Sequence, residues 1–251
     1  MRSIKKFAAY EKCLVSFLDI LGFKNILNSR GADEIASILS EFREFNKGIV
    51  PYIPHGVKEH RLNSEMLSEI VSDAVVRVRT TETQQDEGPF SQELYDLFYL
   101  QVKCIKKGII IRGAVQFGDM HVGVDFKGPV FGPALVDAYT MENERVVYPI
   151  IAVHEDAIEN YINNKGVSKY LAQTVEEELY EGDLISKDSR GIWFIDYLRA
   201  YRREVNDIEW INFLRSHKGL IEGELKKDHP GAVYEKFIWL KEYHNGVISV
   251  S

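Results

Sequence analysis

The sequence has few cysteines and no long hydrophobic run. Cys13 and Cys104 are the only cysteines in 251 residues, and apolar residues flank both of them. Their wide separation predicts reduced thiols in the core instead of a disulfide framework. No run of about 18 apolar residues occurs, and the N-terminal residues lack the apolar region of a signal peptide. We therefore expect a cytoplasmic protein with no membrane span.

An excess of basic residues is also absent. The chain has 31 Lys and Arg residues against 38 Asp and Glu residues, which gives a net charge of −7. Because nonspecific nucleic-acid binding requires Lys and Arg to replace counterions, this balance disfavours a nucleic-acid partner. A small triphosphate can still bind, since metal ions and backbone amides meet its charge locally. With 45% hydrophobic residues, the chain can bury the core of one domain with an elaborated end.

Two aspartates stand at the ends of apolar runs. Asp19 lies within Phe17-Leu-Asp-Ile-Leu-Gly-Phe23, and Asp73 follows Ile70-Val-Ser between two strand-like runs. A carboxylate inside an apolar run is costly to bury unless it is paired or binds a cation. Gly22 lets backbone N–H groups face an anion where the next helix begins. Two aspartates on neighbouring strand ends beside such amides predict a metal and triphosphate site.

Hydrophobic periodicity predicts an α+β chain whose character changes near residue 155. Before that point, one helix between strands and a hairpin in the middle indicate a ferredoxin-like split βαβ core. We therefore predict a core domain over residues 1–155 and a helical C-terminal extension, packed on the core, over residues 156–251. The predicted strands are Leu14–Ile20, Gly108–Phe117, His121–Val124, Val146–Val153 and the hairpin Glu69–Val78; the predicted helices are Asp33–Asn46, Ser91–Lys107, Gly132–Asn143, Asp156–Asn164, Ser168–Tyr180, Tyr197–Glu204, Asp207–Lys226 and Gly231–Tyr243.

Three motifs in the first part of the chain resemble those of class III nucleotidyl cyclases. The run Phe17–Phe23 matches the form Phe-x-Asp-Ile-x-Gly-Phe. The strand Arg112-Gly-Ala-Val115, followed by Gly118 and Gly123, is similar to the Arg-Val-Gly-Val strand of that family and its two glycines. The segment Phe131–Glu142 is similar to the small-residue helix that ends in Met-Glu. The resemblance covers roughly residues 10 to 155 and implies the ferredoxin-like class III cyclase core, with the helical extension following it.

Further motifs resemble one branch of that family, the pyrimidine cyclases of bacterial anti-phage defence (Pycsar type). They are Gly132-Pro-Ala, Ala138-Tyr ahead of Glu142, Phe194-Ile-Asp-Tyr-Leu198 and the stretch from Trp239 to Asn245. This resemblance implies a homodimer that converts UTP or CTP to its 3′,5′-cyclic monophosphate and pyrophosphate, with a separate effector that responds to the product. The last two motifs are apolar at helical spacing, so we assign them to packing or a dimer surface and to no chemistry.

The cyclase resemblance implies a two-metal mechanism at Asp19 and Asp73. Each carboxylate is expected to bridge both ions, with the carbonyl of Ile20 as a further ligand. Two ions stabilise charge on the attacking ribose oxygen and on the departing pyrophosphate. Oxygen ligands suit Mg²⁺ or Mn²⁺, and no Cys/His spacing typical of zinc is present. The competing interpretation is that the two aspartates only cap a helix or form a turn.

The expected nucleotide-binding residues surround these aspartates. Phe17 belongs to the same motif, and the backbone of Leu21, Gly22 and Phe23 is expected to donate to the β- and γ-phosphates. Two further residues are expected to contact the base of the nucleotide. In purine cyclases a base-reading Lys and an Asp occupy the positions that Glu69 and Pro129 hold here. Neither residue can read a purine edge in that way, which favours a pyrimidine without choosing between uracil and cytosine.

The residues expected to stabilise the transition state depart from the cyclase pattern. Val136 and Thr140 occupy the positions of the Asn and Arg that stabilise the transition state in purine cyclases. Losing one such donor typically costs about 10²- to 10³-fold in rate. Arg145, farther along the helix, either substitutes for them or is a solvated helix end. Arg112 is either a phosphate-side cation or a structural partner of a carboxylate, and the structural interpretation is favoured.

Two other functions compete with a cyclase. A catalytically silent cyclase fold that senses nucleotide is favoured by the missing Asn and Arg, whereas retention of Asp19 and Asp73 disfavours it. Another two-metal phosphotransfer enzyme, such as a diguanylate cyclase, ranks last because no Gly-Gly-Asp/Glu-Glu-Phe signature occurs.

Overall fold

The computed structural model describes residues 9–46, 66–71, 73–81, 89–123, 129–163 and 184–250. Within these ranges one mixed sheet has the strand order β2-β3-β1-β4-β5-β7-β6. Strand β1 is an interior strand, antiparallel to both of its neighbours β3 and β4, whereas β4 and β5 are parallel. The strands are β1 Glu11–Ile20, β2 Met66–Val71, β3 Ala74–Thr80, β4 Ile111–Met120, β5 Ile151–Val153, β6 Ile185–Lys187 and β7 Trp193–Ile195.

Helices cover both faces of the sheet. The larger core lies on the face covered by α3, and the smaller clusters lie on the face covered by α4. Helix α4 continues into a π-helical turn at Met141–Arg145. The helices are α1 Phe23–Ser29, α2 Ala32–Asn46, α3 Pro89–Lys106, α4 Pro133–Thr140, α5 Glu155–Asn163, α6 Tyr197–Glu204, α7 Asp207–Leu225 and α8 Gly231–Val250.

The side chains of β1 explain why both of its faces are covered. Leu14 and Leu18 point into the larger core, while Cys13 and Val15 point into the cluster beneath α4. Alternate residues of a strand face opposite sides of the sheet, so an almost continuous apolar run requires cover on both. Cys13 and Cys104 are buried thiols outside any disulfide, as the sequence predicted.

The predicted α+β class is confirmed, and the first part of the chain has the predicted split βαβ order. Some boundaries differ. The strand predicted at Val146–Val153 is reduced to Ile151–Val153, because bends occupy the residues before it. No second strand forms at His121–Val124 within the described residues; His121 instead makes an isolated bridge with Phe131.

The C-terminal extension is mostly helical but also widens the sheet. Strand β7 pairs with β5 through Phe194 and Ala152, and β6 pairs with β7. The sequence predicted neither strand, because each has only three residues. The helix predicted at Ser168–Tyr180 lies outside the described residues, and the boundary at residue 155 stays a prediction. Among the described helices, none is long and apolar enough to cross a membrane.

Four charged side chains are buried between β3 and α3. Arg77 Nε lies 2.8 Å from Glu93 Oε1, and Arg79 Nη2 lies 2.6 Å from Asp96 Oδ2. Arg77 Nη2 also lies 3.0 Å from Asp96 Oδ2, and Arg79 Nε lies 2.9 Å from Glu93 Oε2. The Ser16 hydroxyl donates to Glu93 at 2.9 Å. These contacts satisfy charges that would otherwise be too costly to bury, and they join the hairpin strand to the helix.

Candidate active site

The two predicted metal aspartates are neighbours. Strand register places Asp19 opposite Ala74 of β3, so the residue before it, Asp73, lies beside Asp19. The two side chains share a hydrogen bond. Burial raises the pKa of Asp19 to about 7, together with the hydrogen bond and charge of Asp73 and the charge of Glu142, while Arg112 opposes the rise. Two carboxylates this close cannot both ionise easily, so a cation that replaces the shared proton is favoured.

Arg112 and Glu142 support this pair from the neighbouring strand and helix. Arg112 lies opposite Asp19 on β4, with its Nε 3.6 Å from Asp19 Oδ2 and 2.5 Å from Glu142 Oε1. Its Nη1 also donates to the Val146 carbonyl at 3.4 Å. Glu142 is buried in the π-helical turn. Arg112 is therefore the structural partner of a carboxylate, which is the interpretation that the sequence favoured.

The turn after Asp19 agrees only in part with the prediction that its backbone N–H groups donate to phosphates. Gly22 has a φ of 74°, the left-handed conformation that glycine adopts easily, and α1 begins at Phe23 directly after it. The Leu21 N–H, however, donates to the Ile110 carbonyl at 2.8 Å. The fold therefore already uses the Leu21 amide, which is not the free donor that the sequence predicted, whereas Leu21 as a nucleotide-binding residue stays a prediction. Gly22 and Phe23 remain as predicted phosphate donors.

The remaining predicted nucleotide residues occupy two separate places in the chain. Phe17 lies on the same face of β1 as Asp19, and its ring meets Tyr139 edge-on at 5.3 Å. Val76 of β3 pairs with Phe17 on one side and with Glu69 of β2 on the other, so Glu69 is close in register to the aspartates. Pro129 is exposed and precedes the Phe131 bridge at the far end of β4.

Helix α4 carries Val136 and Thr140 at the positions where purine cyclases have the transition-state Asn and Arg. Val136 is 61% exposed and Thr140 is partly buried, so neither position offers a cation. The side chain of Arg145 is exposed, and its carbonyl accepts a hydrogen bond of 3.0 Å from Arg190 Nη1. Arg145 thus ends the π-helical turn on the surface.

Lys236, which α8 brings to the same region, was not predicted as a site residue. The charges of Arg112, Glu142 and Asp19 all act on the Lys236 ammonium. Lys236 follows the other site residues by a long stretch of chain and belongs to no recognisable motif. Only the packing of α8 reveals it.

The residues present fit divalent ions bound together with a phosphate chain. Among the residues that the structure describes, no three His, Cys, Asp or Glu side chains form a metal-binding group. The side-chain ligands available to a metal ion here are the two carboxylates of Asp19 and Asp73. The Ile20 carbonyl is the predicted further oxygen ligand. Mg²⁺ is usually held in this way, by one or two carboxylates with substrate phosphates and water completing its coordination. The two adjacent carboxylates are consistent with such a ligand set.

The fold is similar to those of solved nucleotidyl cyclases, whereas no family model and no curated protein matches the chain. The guanylyl cyclase domain of the RhoGC fusion protein from the aquatic fungus Blastocladiella emersonii is 16% identical, with a TM-score of 0.47 over 75% of this chain and 98% of that one. The guanylyl cyclase Cya2 is 14% identical, with a TM-score of 0.44 over 76% and 94%. A bacterial light-regulated adenylyl cyclase is 12% identical, with a TM-score of 0.44 over 62% and 46%. At these identities and scores the likeness is partial.

Proposed function

We propose that the protein is a nucleotidyl cyclase that converts UTP or CTP to its 3′,5′-cyclic monophosphate and pyrophosphate. The observation that carries the proposal is the pair of Asp19 and Asp73, joined by a hydrogen bond at the ends of neighbouring strands. The cyclase-like motif Phe17–Phe23 and the split βαβ order of the strands support it.

Each residue of the site has a defined task in this proposal. Asp19, Asp73 and the Ile20 carbonyl would hold two Mg²⁺ or Mn²⁺ ions, which would supply charge stabilisation for the attacking 3′ oxygen and the leaving pyrophosphate. Arg112 favours the ionised form of Asp19 and keeps Glu142 in place through the 2.5 Å contact. Gly22 and Phe23 turn the backbone toward the phosphates.

The base preference follows from two positions. Glu69 and Pro129 replace the residues that read a purine in the resembled family, and Pro129 has no N–H or polar side chain to offer. A pyrimidine base is therefore proposed, with uracil and cytosine both open.

Two chains are proposed to share each site. Within one chain, Pro129 precedes the far end of β4, whereas Arg112 lies at the end beside Asp19. Helix α4 also exposes Val136 and Tyr139, at 61% and 50%, on the face of the sheet that carries Asp19. A homodimer covers this apolar surface and brings a second Pro129 to the aspartates. A second messenger for anti-phage defence, read by a separate effector, completes the proposal.

A direct assay tests the reaction. The purified full-length protein is incubated with each of the four nucleoside triphosphates and Mn²⁺, and the cyclic products are identified by mass. We expect cyclic UMP or cyclic CMP from the wild type and neither from Asp73→Asn. Absence of every cyclic product from a folded protein contradicts the proposal.

A catalytically silent nucleotide sensor is the second candidate. The exposed Val136 and the Thr140 side chain on α4 favour it, because they leave the transition state without its usual donors. A sensor binds a nucleoside triphosphate with Mn²⁺ but leaves it unchanged, so equilibrium binding measured beside the product assay separates the two functions.

A further inference from the structure

Helix α8 of the C-terminal extension packs against the segment that follows the π-helical turn. The Trp239 ring stacks on Tyr148 with centroids 4.9 Å apart and an interplanar angle of 9°. Lys236 lies three residues before Trp239, and residues at this spacing share one face of a helix. Lys236 therefore stands on the face of α8 that meets the core, where the Val146 carbonyl near Tyr148 accepts a hydrogen bond from Arg112. The charges of Arg112 and Glu142 act on the Lys236 ammonium.

The surroundings of the Lys236 ammonium lack an anion in direct contact. Lys236 is partly buried, and burial together with the Arg112 charge lowers its pKa, whereas Glu142 and Asp19 raise it. Among the residues that the structure describes, no carboxylate oxygen lies within ion-pairing distance of its Nζ. A partly desolvated ammonium without an ion-pair partner is unfavourable, and a bound anion relieves that cost.

No other described side chain of the site near Asp19 offers an unpaired positive charge to a phosphate. Arg112 is engaged by Glu142 at 2.5 Å and by the Val146 carbonyl. On α4, Val136 and Thr140 carry no charge. Lys236 differs from these residues because a lysine ammonium is a compact charge with three donors on a flexible stem, which suits a phosphate oxygen.

We propose that Lys236 binds the triphosphate chain beside Asp19 and Asp73, so that the C-terminal helix α8 completes the nucleotide site of the core. The identity of the nucleotide rests on the proposed function above, whereas the anion site itself does not. The extension is thus a part of the active site in addition to a packing element.

The test compares Lys236→Met and Lys236→Arg with the wild-type full-length protein. Lys241→Met is the matched control, because Lys241 is an exposed lysine of the same helix. The probe is inorganic tripolyphosphate with Mn²⁺, measured by titration calorimetry, and Mn²⁺ binding alone is measured beside it. Circular dichroism and thermal unfolding establish that each variant is folded.

We expect Lys236→Met to weaken tripolyphosphate binding about tenfold or more, the usual range for losing a hydrogen bond to a charged group. Lys236→Arg should keep most of the affinity, Lys241→Met should bind like the wild type, and Mn²⁺ affinity should not fall in any variant. Unchanged tripolyphosphate binding by folded Lys236→Met overturns the inference, as does an equal loss in Lys241→Met.

The probe separates this inference from the proposed reaction. If the wild type binds tripolyphosphate in a Lys236-dependent way but forms no cyclic product from any nucleotide, the anion site stands and the cyclase proposal fails. If cyclic product forms at the wild-type rate and KM in Lys236→Met, the cyclase proposal stands and the role of Lys236 is wrong.

Discussion

Asp19 and Asp73 share a hydrogen bond, although one lies near the end of β1 and the other at the tip of the β2–β3 hairpin. The register of two antiparallel strands holds the two carboxyl groups together. Because two carboxylates this close do not both ionise easily, and because such pairs cluster at functional sites, the pair is a candidate ligand set for a cation.

Neutralising either aspartate should abolish turnover while the fold is kept. Asp19→Asn and Asp73→Asn each remove a charged metal ligand without creating a cavity, and metal ions contribute several kcal/mol of transition-state stabilisation. Cyclic product formed by either variant should therefore fall below about a tenth of the wild-type rate. Asp119→Asn is the control, because Asp119 is a partly exposed residue of β4 that forms an ion pair with Lys12. Higher residual activity in either site variant contradicts the two-metal assignment.

UTP or CTP should be turned over faster than ATP or GTP. Glu69 offers no hydrogen-bond donor, and Pro129 offers no polar side chain, at the positions where the resembled family reads a purine. The comparison needs only initial rates with each nucleotide alone. Glu69→Lys should change the ratio of these rates more than it changes the unfolding free energy. Cyclic AMP as a substantial product from ATP alone would refute the pyrimidine preference.

Activity should depend on two chains and should be restored by mixing complementary variants. Asp73→Asn and Glu69→Ala are prepared separately, and Glu69→Ala must first be shown to be impaired. If the two lesions fall on opposite sides of a shared site, a mixed dimer keeps one site with both lesions and one with neither. Activity in the mixed-dimer fraction should then rise toward half of the wild-type value. No recovery after demonstrated subunit exchange places Glu69 and Asp73 in one site of one chain, and its base-reading role is then wrong.

Removing one charge from the buried cluster should destabilise the fold strongly. Glu93 accepts hydrogen bonds from both Arg77 and Arg79 and is 1% exposed. Glu93→Gln leaves two buried guanidinium groups short of one negative charge, which typically costs about 3–5 kcal/mol. Urea unfolding measures the loss, with Glu41→Gln as the control because Glu41 makes only a longer, solvent-accessible contact with Lys107. A loss below about 1 kcal/mol would show that the cluster is not essential to stability.

A buried histidine pair should make the fold sensitive to acid. His217 Nδ1 lies 2.9 Å from His244 Nδ1, and His217 Nε2 lies 2.7 Å from the Tyr197 hydroxyl. Burial and the neighbouring His244 lower the pKa of His217 to about 3, and burial and Lys218 lower the pKa of His244. Because the unfolded chain binds protons first, their contribution to stability is complete above about pH 6.5 and is lost as the pH falls toward 3.

The unfolding free energy at pH 7 and pH 5 measures this effect. The difference between the two pH values should be about 2 kcal/mol larger in the wild type than in His217→Gln, which carries no titrating group at that position. The comparison of the two proteins cancels the opposite contribution of Asp196, whose pKa is raised by burial. Equal pH dependence in both proteins contradicts the assignment.

The local pattern of the sequence was sufficient to predict the class of fold and the place of the two aspartates at neighbouring strand ends. The alternation of β1, the hairpin ahead of Asp73 and the helical spacing of α2 and α3 each involve neighbours within a few residues, so the pattern itself carries the information. The buried packing of Phe194 and the stacking of Trp239 also match their predicted structural role.

Only the tertiary structure decided which charges are buried and which elements complete the site. Arg77 and Arg79 lie two residues apart on β3, a spacing that equally suits a solvated face, and it is Glu93 and Asp96 on α3 that make their burial possible. The Leu21 amide was predicted to be free, but strand register brings the Ile110 carbonyl to it. Lys236 stands one turn before Trp239 on α8, and the packing of Trp239 on Tyr148 brings it into the field of Arg112, Glu142 and Asp19. Such pairings depend on distances between residues far apart in the chain, which no local periodicity encodes.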